Sequence, residues 1–234
     1  RKKGLDKIRV LSGAQLKYIA FLSMLIDHVN KALIYPNLNG GLLLKISDLF
    51  DVLGRIAFPL FAFFIVEGFF KTRSRKKYLL NLLIFGVISE VPFDMFTTRT
   101  FFNPRYNNVL ALSLVTIWII DTLKIKLEKI PRFLWYLTTV LILAVMCIIS
   151  LFLSVDYDYH AILIVYFLYV FYNKPILSCV FGYLSIFKEV WALLGFGFIL
   201  MYNGKRGRQN KMINYWFYPV HILILGILRM VFNI

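Results

Sequence analysis

Charged residues are scarce in this sequence of 234 residues, and long polar stretches are missing from it. Only 17% of the residues are charged and 60% are hydrophobic, whereas soluble domains average about 25% charged and about 45–50% apolar residues. A water-exposed surface cannot accommodate this excess of apolar side chains, which excludes the soluble fold classes. The mean hydropathy of +0.73 is also that of a predominantly apolar chain. The sequence therefore predicts an integral membrane protein.

Cysteine is also rare, and the motifs of several enzyme classes are absent. Cys147 and Cys179 each lie inside an apolar run, where neither a disulfide framework nor a zinc site is expected. The sequence contains no GxxxxGK[ST], GxGxxG, HExxH or GxSxG motif, so it gives no motif for P-loop nucleotide binding, a zincin or a serine hydrolase. We expect no metal cofactor.

Acidic residues are few: 12 Asp and Glu stand against 27 Lys and Arg, which gives a net charge of +15. A nucleic-acid partner is not expected, because the basic residues form short clusters between apolar runs and not one continuous face. Membrane topology explains the clusters better, since cytoplasmic loops are enriched in Lys and Arg.

The apolar runs predict an all-α, polytopic transmembrane helical bundle with about nine membrane segments. Most of the 27 basic residues fall on one side when the N-terminus is placed in the cytoplasm. We expect one integral membrane domain over residues 1–234, in the cytoplasmic (inner) membrane, with some short or re-entrant segments after residue 154. The predicted segments are 16–35, 53–70, 78–96, 107–123, 133–153, 160–172, 176–187, 190–202 and 214–232.

Polar side chains inside these segments are the main indication of function. Each ionisable group costs about 2.5–3.5 kcal/mol on insertion scales, so it marks a functional interior by default. In this topology most of them lie at the outer ends of segments, which predicts an outward-facing polar cavity. They are Asp27, His28, Asn30, Lys31, Arg55, Glu90, Asp94, Asn107, Asn108, Asp156, Asp158 and His160. Glu67 and His221 lie deeper within apolar runs and are further candidates.

His28 is the candidate general base. Neighbouring residues of a helix point about 100° apart, so Asp27 cannot orient His28 and is expected to pair with Lys31 one turn later. A carboxylate from another helix, Glu90 or Asp94, is then expected to hold the His28 tautomer. The alternative is a packing histidine whose ring bonds to a backbone carbonyl.

Basic residues at the membrane edges have two explanations. Arg73 lies in the loop KTRSRKK, and Lys205 and Arg206 lie in the loop NGKRGRQNK. Orientation in the membrane accounts for these loops, or they bind the phosphates of a coenzyme A thioester or of anionic lipids. Arg55 is likewise an interfacial anchor or a group that stabilises a thioester oxyanion.

Several stretches in order along the chain resemble the TraX family. They are LKYIAFLSMLIDHVNK (16–31), LGRIAFPLFAFFIVEGFFKTRSRKKYLLNLLIFGVISEVPFD (53–94), NNVLAL (107–112), DY (156–157), YNGKRG (202–207) and FYPVH (217–221). The resemblance implies a polytopic acetyltransferase, in a wider superfamily of membrane acyltransferases that use cytoplasmic acyl-CoA. Its best-known member acetylates the N-terminus of conjugative pilin. The matching positions are Asp27, His28, Arg55, Glu67, Glu90, Asp94, Asn108, Tyr218, Pro219 and His221.

The leading hypothesis is acyl transfer from cytoplasmic acetyl-CoA, or another acyl-CoA, to an amine or hydroxyl. The acceptor would be a pilin or peptide N-terminus or an envelope glycan, and membrane lipids are the other partners. His28 would act as general base on the acceptor, or carry the acyl group as a covalent intermediate. Asp27, Arg55, Glu90 and Asp94 would complete the catalytic group. Substrate binding would involve Glu67, Asn108, Tyr218, His221, Arg73, Lys205 and Arg206. The alternatives are a transporter or flippase whose buried charges line a pathway, and a structural subunit of an envelope complex.

Overall fold

The computed structural model describes residues 2–101, 108–153 and 158–232. Over these ranges the chain forms helices and turns without a β-strand, so the predicted all-α class is confirmed. A π-helical turn (Asn30–Ile34) and a 3₁₀ turn (Tyr35–Asn37) follow the second helix. The α-helices are α1 (Lys2–Ile8), α2 (Gly13–Val29), α3 (Leu42–Gly54), α4 (Ala57–Lys71), α5 (Arg75–Thr97), α6 (Val109–Lys126), α7 (Arg132–Phe152), α8 (Asp158–Val170), α9 (Pro175–Leu184), α10 (Ala192–Leu200) and α11 (Lys211–Phe232).

Several helices have the length and composition of membrane spans. Within the described ranges there are 4 such helical stretches: Leu42–Lys71, which takes in both α3 and α4, Arg75–Thr97, Arg132–Phe152 and Lys211–Phe232. Tyr159–Val170 and Pro175–Leu184 are apolar but shorter than the roughly 20 residues that a perpendicular span needs. The chain is a membrane protein. Nine segments and a cytoplasmic N-terminus stay predictions.

The described residues divide into two compact units. The first unit takes its residues from Arg1–Phe61, Val87–Pro104 and Phe187–Ile234, and the second from Ala62–Gly86 and Arg105–Ile186. That all 234 residues act as one domain stays a prediction.

In the first unit, side-chain hydrogen bonds join α2 and the π-helical turn to α3. Ser23 Oγ donates to the carbonyl of Leu53 at 2.6 Å. Asn30 Nδ2 donates to the carbonyl of Ser47 at 3.1 Å, and Ser47 Oγ donates back to Asn30 Oδ1 at 2.8 Å. Hydrogen bonds of this kind hold helices together in lipid, where apolar surfaces alone give no preference for another helix over lipid. They fix the C-terminal half of α2, which carries His28.

The helices α2 and α3 come close together at Gly54. A Cβ built on Gly54 would lie 2.6 Å from both Cβ and Oδ1 of Asp27. Real Cβ atoms do not come this close to other heavy atoms, and Cβ of Asp27 belongs to its helix and cannot swing aside. Only glycine therefore allows α3 to pack against Asp27 in this way.

Replacing Gly54 with alanine is expected to destabilise the protein by about 1–3 kcal/mol, the usual effect of overpacking. The added methyl group must push α3 away from α2. Thermal unfolding in detergent measures the effect.

The matched control is Gly197→Ala. Gly197 lies in α10, and nothing lies within 4 Å of a Cβ built on it. Alanine favours a helix over glycine by about 1 kcal/mol, so this variant should be as stable as the wild type or more stable. Equal losses in the two variants would contradict the proposed close contact.

The N-terminus of α2 is held by the loop that precedes α11. Ser12 caps the helix, and its hydroxyl and the Gln15 side chain form a reciprocal capping box. The amides of Gly13 and Ala14 donate to the carbonyls of Lys205 and Arg206 at 2.8 and 2.9 Å. These backbone bonds fix the loop at Lys205 and Arg206 against the start of α2.

Candidate functional site

Two histidines from distant parts of the chain meet in the first unit. His28 Nδ1 on α2 lies 2.8 Å from His221 Nε2 on α11. The two rings are stacked, with centroids 5.0 Å apart and an interplanar angle of 16°. His221 Nδ1 lies 2.7 Å from the backbone carbonyl oxygen of Phe217, one turn earlier on α11. A continuous hydrogen-bond chain therefore runs from the Phe217 carbonyl through the His221 ring to the His28 ring.

Aromatic side chains surround the histidine pair. The ring of Phe96 lies edge-on to His28 with centroids 5.2 Å apart, and Phe217 stacks on His221 at 4.8 Å. Tyr218 also contacts His221, at 5.7 Å. Hydrogen bonds are electrostatically stronger in apolar surroundings than in water. His221 is buried, whereas His28 is half-buried and retains some exposed surface.

The group that orients His28 differs from the one expected. The sequence predicted a carboxylate, Glu90 or Asp94, but in the described residues the hydrogen-bond partner of His28 is His221. Asp94 is buried, at 2% exposure, and Glu90 is half-buried on the same helix. That helix, α5, approaches His28 through Phe96 instead. The prediction was wrong because His221 on α11, 193 residues away in the sequence, supplies the atom within hydrogen-bonding distance.

Asp27 pairs with Lys31 as predicted. Lys31 Nζ lies 2.6 Å from Asp27 Oδ2, one turn along the helix. The other carboxylate oxygen, Oδ1, is buried and has no hydrogen-bond partner in the described part of the chain. The π-helical turn begins at Asn30, directly after this region, and such turns are frequent at functional sites.

Arg55 lies between α3 and α4 and is held by two carboxylates. Its Nη2 is 3.0 Å from Asp51 Oδ1, and its Nε is 3.3 Å from Glu189 Oε2. No hydrogen bond or ion pair in the described residues joins Arg55 to His28 or His221. Arg55 therefore belongs to a separate ionic cluster in the same unit.

Lys205 and Arg206 contribute their backbone to the fold and leave their side chains at the surface. Their carbonyls accept the hydrogen bonds from the start of α2 described above, and both residues are exposed. Gly204 and Gly207, on either side, have φ of +80° and +72°, a region that glycine adopts readily. The loop thus has a defined backbone and presents its cationic groups to solvent.

Three of the residues predicted to bind substrate lie in the second unit. Glu67 accepts a hydrogen bond from the Tyr172 hydroxyl at 2.6 Å and pairs with Lys71. Asn108 caps α6 and donates to the carbonyl of Leu82 at 2.9 Å. Arg73 is exposed. Glu67 and Asn108 therefore take part in contacts within their own unit.

Asp121 was not among the predicted site residues, yet it organises a second polar cluster in that unit. Asp121 Oδ2 accepts from Arg75 Nη1 at 2.7 Å, and Oδ1 accepts from the Tyr169 hydroxyl at 2.8 Å. The Arg75 guanidinium also lies over the ring of Phe69, 3.9 Å from its centroid. The available signal was one acidic residue inside the apolar run TIWIID, near the inner end of a predicted segment.

Some expected cavity residues cannot be placed. Asn107 and Asp156 lie outside the described residues, as does the side chain of Asp158. His160 is buried, with 8% of its surface exposed, and its ring stacks on that of Tyr159, with centroids 4.2 Å apart.

Among the residues that are described, no three His, Cys, Asp or Glu side chains lie together in a group that could hold a metal ion. The absence of a metal cofactor stays a prediction.

Comparison with known proteins gives two matches. The family model described as TraX protein matches residues 12–229, a range that contains His28, His221 and Arg55. A protein named "Probable fimbrial assembly protein FimC, serogroup H1", from Dichelobacter nodosus, is 44% identical over 82 residues. That alignment covers 34% of this chain and only 30% of the relative's length. No solved structure matches the chain.

Proposed function

Because this chain belongs to the TraX family, we propose that it is a membrane-embedded acyltransferase of pilus biogenesis. It moves an acyl group, in the first instance acetyl, from cytoplasmic acyl-CoA to an amine or hydroxyl in an outward-facing polar cavity. The name of the fimbrial assembly relative favours a pilin N-terminus as the acceptor over other peptides and envelope glycans. The enzyme is a multi-pass protein of the cytoplasmic membrane.

The observation that carries this proposal is the hydrogen bond between His28 and His221. Histidine is the side chain best suited to accept and release a proton near neutral pH. Two imidazoles that share a hydrogen bond among aromatic side chains are an arrangement that packing alone does not require. His28 retains some exposed surface, so a substrate can reach it.

The proposed reaction is a direct displacement on the thioester. The acceptor nitrogen or oxygen attacks the acyl carbonyl carbon and forms the new C–N or C–O bond, while His28 takes the proton that the acceptor loses. The C–S bond then breaks, and the coenzyme A thiolate leaves with that proton. A general base of this kind contributes about 10²–10⁴ in rate.

The other candidate residues have supporting roles in this proposal. Arg55 would stabilise the oxyanion or hold the pantetheine arm by exchanging one of its two carboxylate partners for the ligand. Lys205 and Arg206 of the first unit are exposed and would bind the phosphates of coenzyme A. Asp27, with Lys31, fixes the end of α2 beside His28.

A transporter or flippase is the second candidate, and the polar cluster of the second unit favours it. Glu67 and Asp121 are both more than four-fifths buried within apolar helices and each holds a cation, as residues along an ion or lipid pathway do. Binding of acetyl-CoA separates the candidates, because a transporter of ions or lipids has no need of this donor.

The direct test is acetyl transfer by the purified protein. In detergent with labelled acetyl-CoA, it is expected to acetylate a synthetic peptide that carries a pilin N-terminus, and mass spectrometry locates the added group. The control peptide has a blocked N-terminus and should gain no label. Failure to bind acetyl-CoA, together with unchanged acetylation of surface proteins and glycans in cells that lack the gene, would overturn the proposal.

A further inference from the structure

The hydrogen-bond chain at the histidine pair determines where each imidazole carries its hydrogen. A carbonyl oxygen can only accept a hydrogen bond, so His221 Nδ1, which lies 2.7 Å from the Phe217 oxygen, must carry a hydrogen and donate it. A neutral imidazole carries a hydrogen on only one of its two ring nitrogens. His221 Nε2 is therefore an acceptor.

The hydrogen bond between the two imidazoles then has one possible direction. His221 Nε2 accepts, so His28 Nδ1, 2.8 Å away, must be the donor. A neutral His28 then has no hydrogen on Nε2, and this nitrogen carries a lone pair. The backbone of α11 thus selects the His28 tautomer through His221.

The surroundings favour two neutral rings. Phe96, Phe217 and Tyr218 contact the pair, and a charge among apolar groups is costly unless it is paired. The nearest carboxylate in the sequence, Asp27, is already paired with Lys31 at 2.6 Å. In the part of the chain that is described, neither ring has a carboxylate hydrogen-bonded to it.

We propose that His221 is a positioning residue that holds His28 with its hydrogen on Nδ1, so that Nε2 is the atom that receives the acceptor's proton. This inference rests on the proposed acyl transfer. When the amine or hydroxyl attacks the thioester, its proton passes to Nε2 and the positive charge spreads over the His28 ring. Both hydrogen bonds of the chain then point away from that charge, toward the Phe217 carbonyl, and stabilise it. The proton leaves with the coenzyme A thiolate when the C–S bond breaks.

The tautomers can be observed without any substrate. The protein has 3 histidines, so ¹⁵N labelling of the imidazoles in the full-length protein gives a simple long-range ¹H–¹⁵N spectrum, assigned with the single His→Gln variants. At neutral pH we expect His28 and His221 both to carry hydrogen on Nδ1. A His28 with hydrogen on Nε2 alone, or with both nitrogens protonated, would overturn the proposal.

Two substitutions at His221 separate positioning from packing. In His221→Gln, the side-chain oxygen can still accept from His28 Nδ1, and kcat should stay within about tenfold of the wild type. In His221→Leu no acceptor remains, and kcat should fall by roughly 100-fold while the KM values for acetyl-CoA and peptide change by less than about threefold. The control is Ile224→Val on the exposed side of α11, which should behave as wild type.

The outcomes distinguish this inference from the proposed function. A wild-type protein without acyl transfer overturns both. A wild type that transfers, with a His221→Leu variant of normal kcat, or with equal losses in the Leu and Gln variants, overturns the positioning role alone. If the Leu variant does not fold, the Gln variant and the wild-type spectrum decide the question.

Discussion

Replacing His28 with alanine is expected to reduce kcat for acyl transfer by about 10²–10⁴-fold, the usual contribution of a general base. The acceptor must lose a proton as it attacks the thioester, and without His28 that proton has to pass to water or to a weaker base. The rate of label transfer from acetyl-CoA to peptide, measured at saturating concentrations of both substrates, gives the effect.

The loss of His28 should leave donor binding largely intact. Acetyl-CoA affinity, measured by calorimetry on the His28→Ala variant, should stay within about threefold of the wild type, because a base acts in the transition state and not in the ground state. Leu22→Ala is the matched control, since Leu22 lies on the same helix with its side chain exposed. Unchanged turnover in His28→Ala would remove this histidine from the mechanism.

The size of the expected effect separates catalysis from a structural role. A rate loss of 10²–10⁴ corresponds to about 3–5 kcal/mol of transition-state stabilisation. Loss of one hydrogen bond between two neutral groups changes stability by only about 0.5–1.5 kcal/mol. A variant that stays folded while kcat falls by three orders of magnitude therefore cannot be explained by the broken His28–His221 bond alone.

Helix positions could be predicted from the sequence to a large extent. Apolar runs of membrane length have no other stable conformation in lipid, because each backbone polar group must bond within its own helix. The predicted breaks at Asn173-Lys174-Pro175 and Lys188-Glu189 both occur, between α8 and α9 and between α9 and α10. These breaks have local signals in the sequence: Pro175 starts α9, and the charged pair Lys188-Glu189 interrupts an apolar run.

The helix α3 could not be predicted with the same rules. Most of the stretch LLLKISDLFDVLG lies between the predicted segments 16–35 and 53–70, and Lys45, Asp48 and Asp51 interrupt its apolar residues. In the structure Lys45 and Asp48 are exposed, while Ser47 and Gly54 are buried. The small and polar residues of this helix pack against α2, and a hydropathy average does not detect such an interface.

The site was predicted residue by residue, but its pairing was not. His28 and His221 were each candidates because an ionisable side chain in an apolar helix requires a partner. That they are each other's partner depends on how α2 packs against α11, with Phe21 stacked on Phe217 at 4.6 Å. Carboxylates commonly orient histidines, which made Glu90 and Asp94 the natural expectation. Packing between segments 193 residues apart has no local signal in one sequence.

Replacing Asp121 with alanine is expected to destabilise the protein by roughly 2–3 kcal/mol. The change leaves Arg75 and the Tyr169 hydroxyl without their shared acceptor, and hydrogen bonds to charged groups are worth about 1.5–3 kcal/mol each. The Arg75 side chain is 34% exposed, so water can solvate its guanidinium and offset part of the lost interaction energy. Thermal unfolding in detergent should show a lower transition temperature than the wild type.

Graded variants test whether Asp121 acts through these two bonds. Asp121→Asn keeps an acceptor for Tyr169 but loses the charge that pairs with Arg75, and Tyr169→Phe removes one hydrogen bond only. We expect the loss of stability to be smallest for Tyr169→Phe, intermediate for Asp121→Asn and largest for Asp121→Ala. An alanine variant as stable as Tyr169→Phe would contradict the assignment.

The same variants separate the acyltransferase from the transporter. In an acyltransferase, the Asp121 cluster stabilises the second unit, and the folded fraction of Asp121→Asn should retain the acyl-transfer kcat of the wild type to within about threefold. In a transporter, a buried carboxylate that holds an arginine is a candidate for the pathway, and its neutralisation should abolish flux even in protein that remains folded. Asp121→Asn protein in liposomes, with acyl transfer and ion flux measured on the same preparation, therefore decides between the two functions through a residue of the second unit.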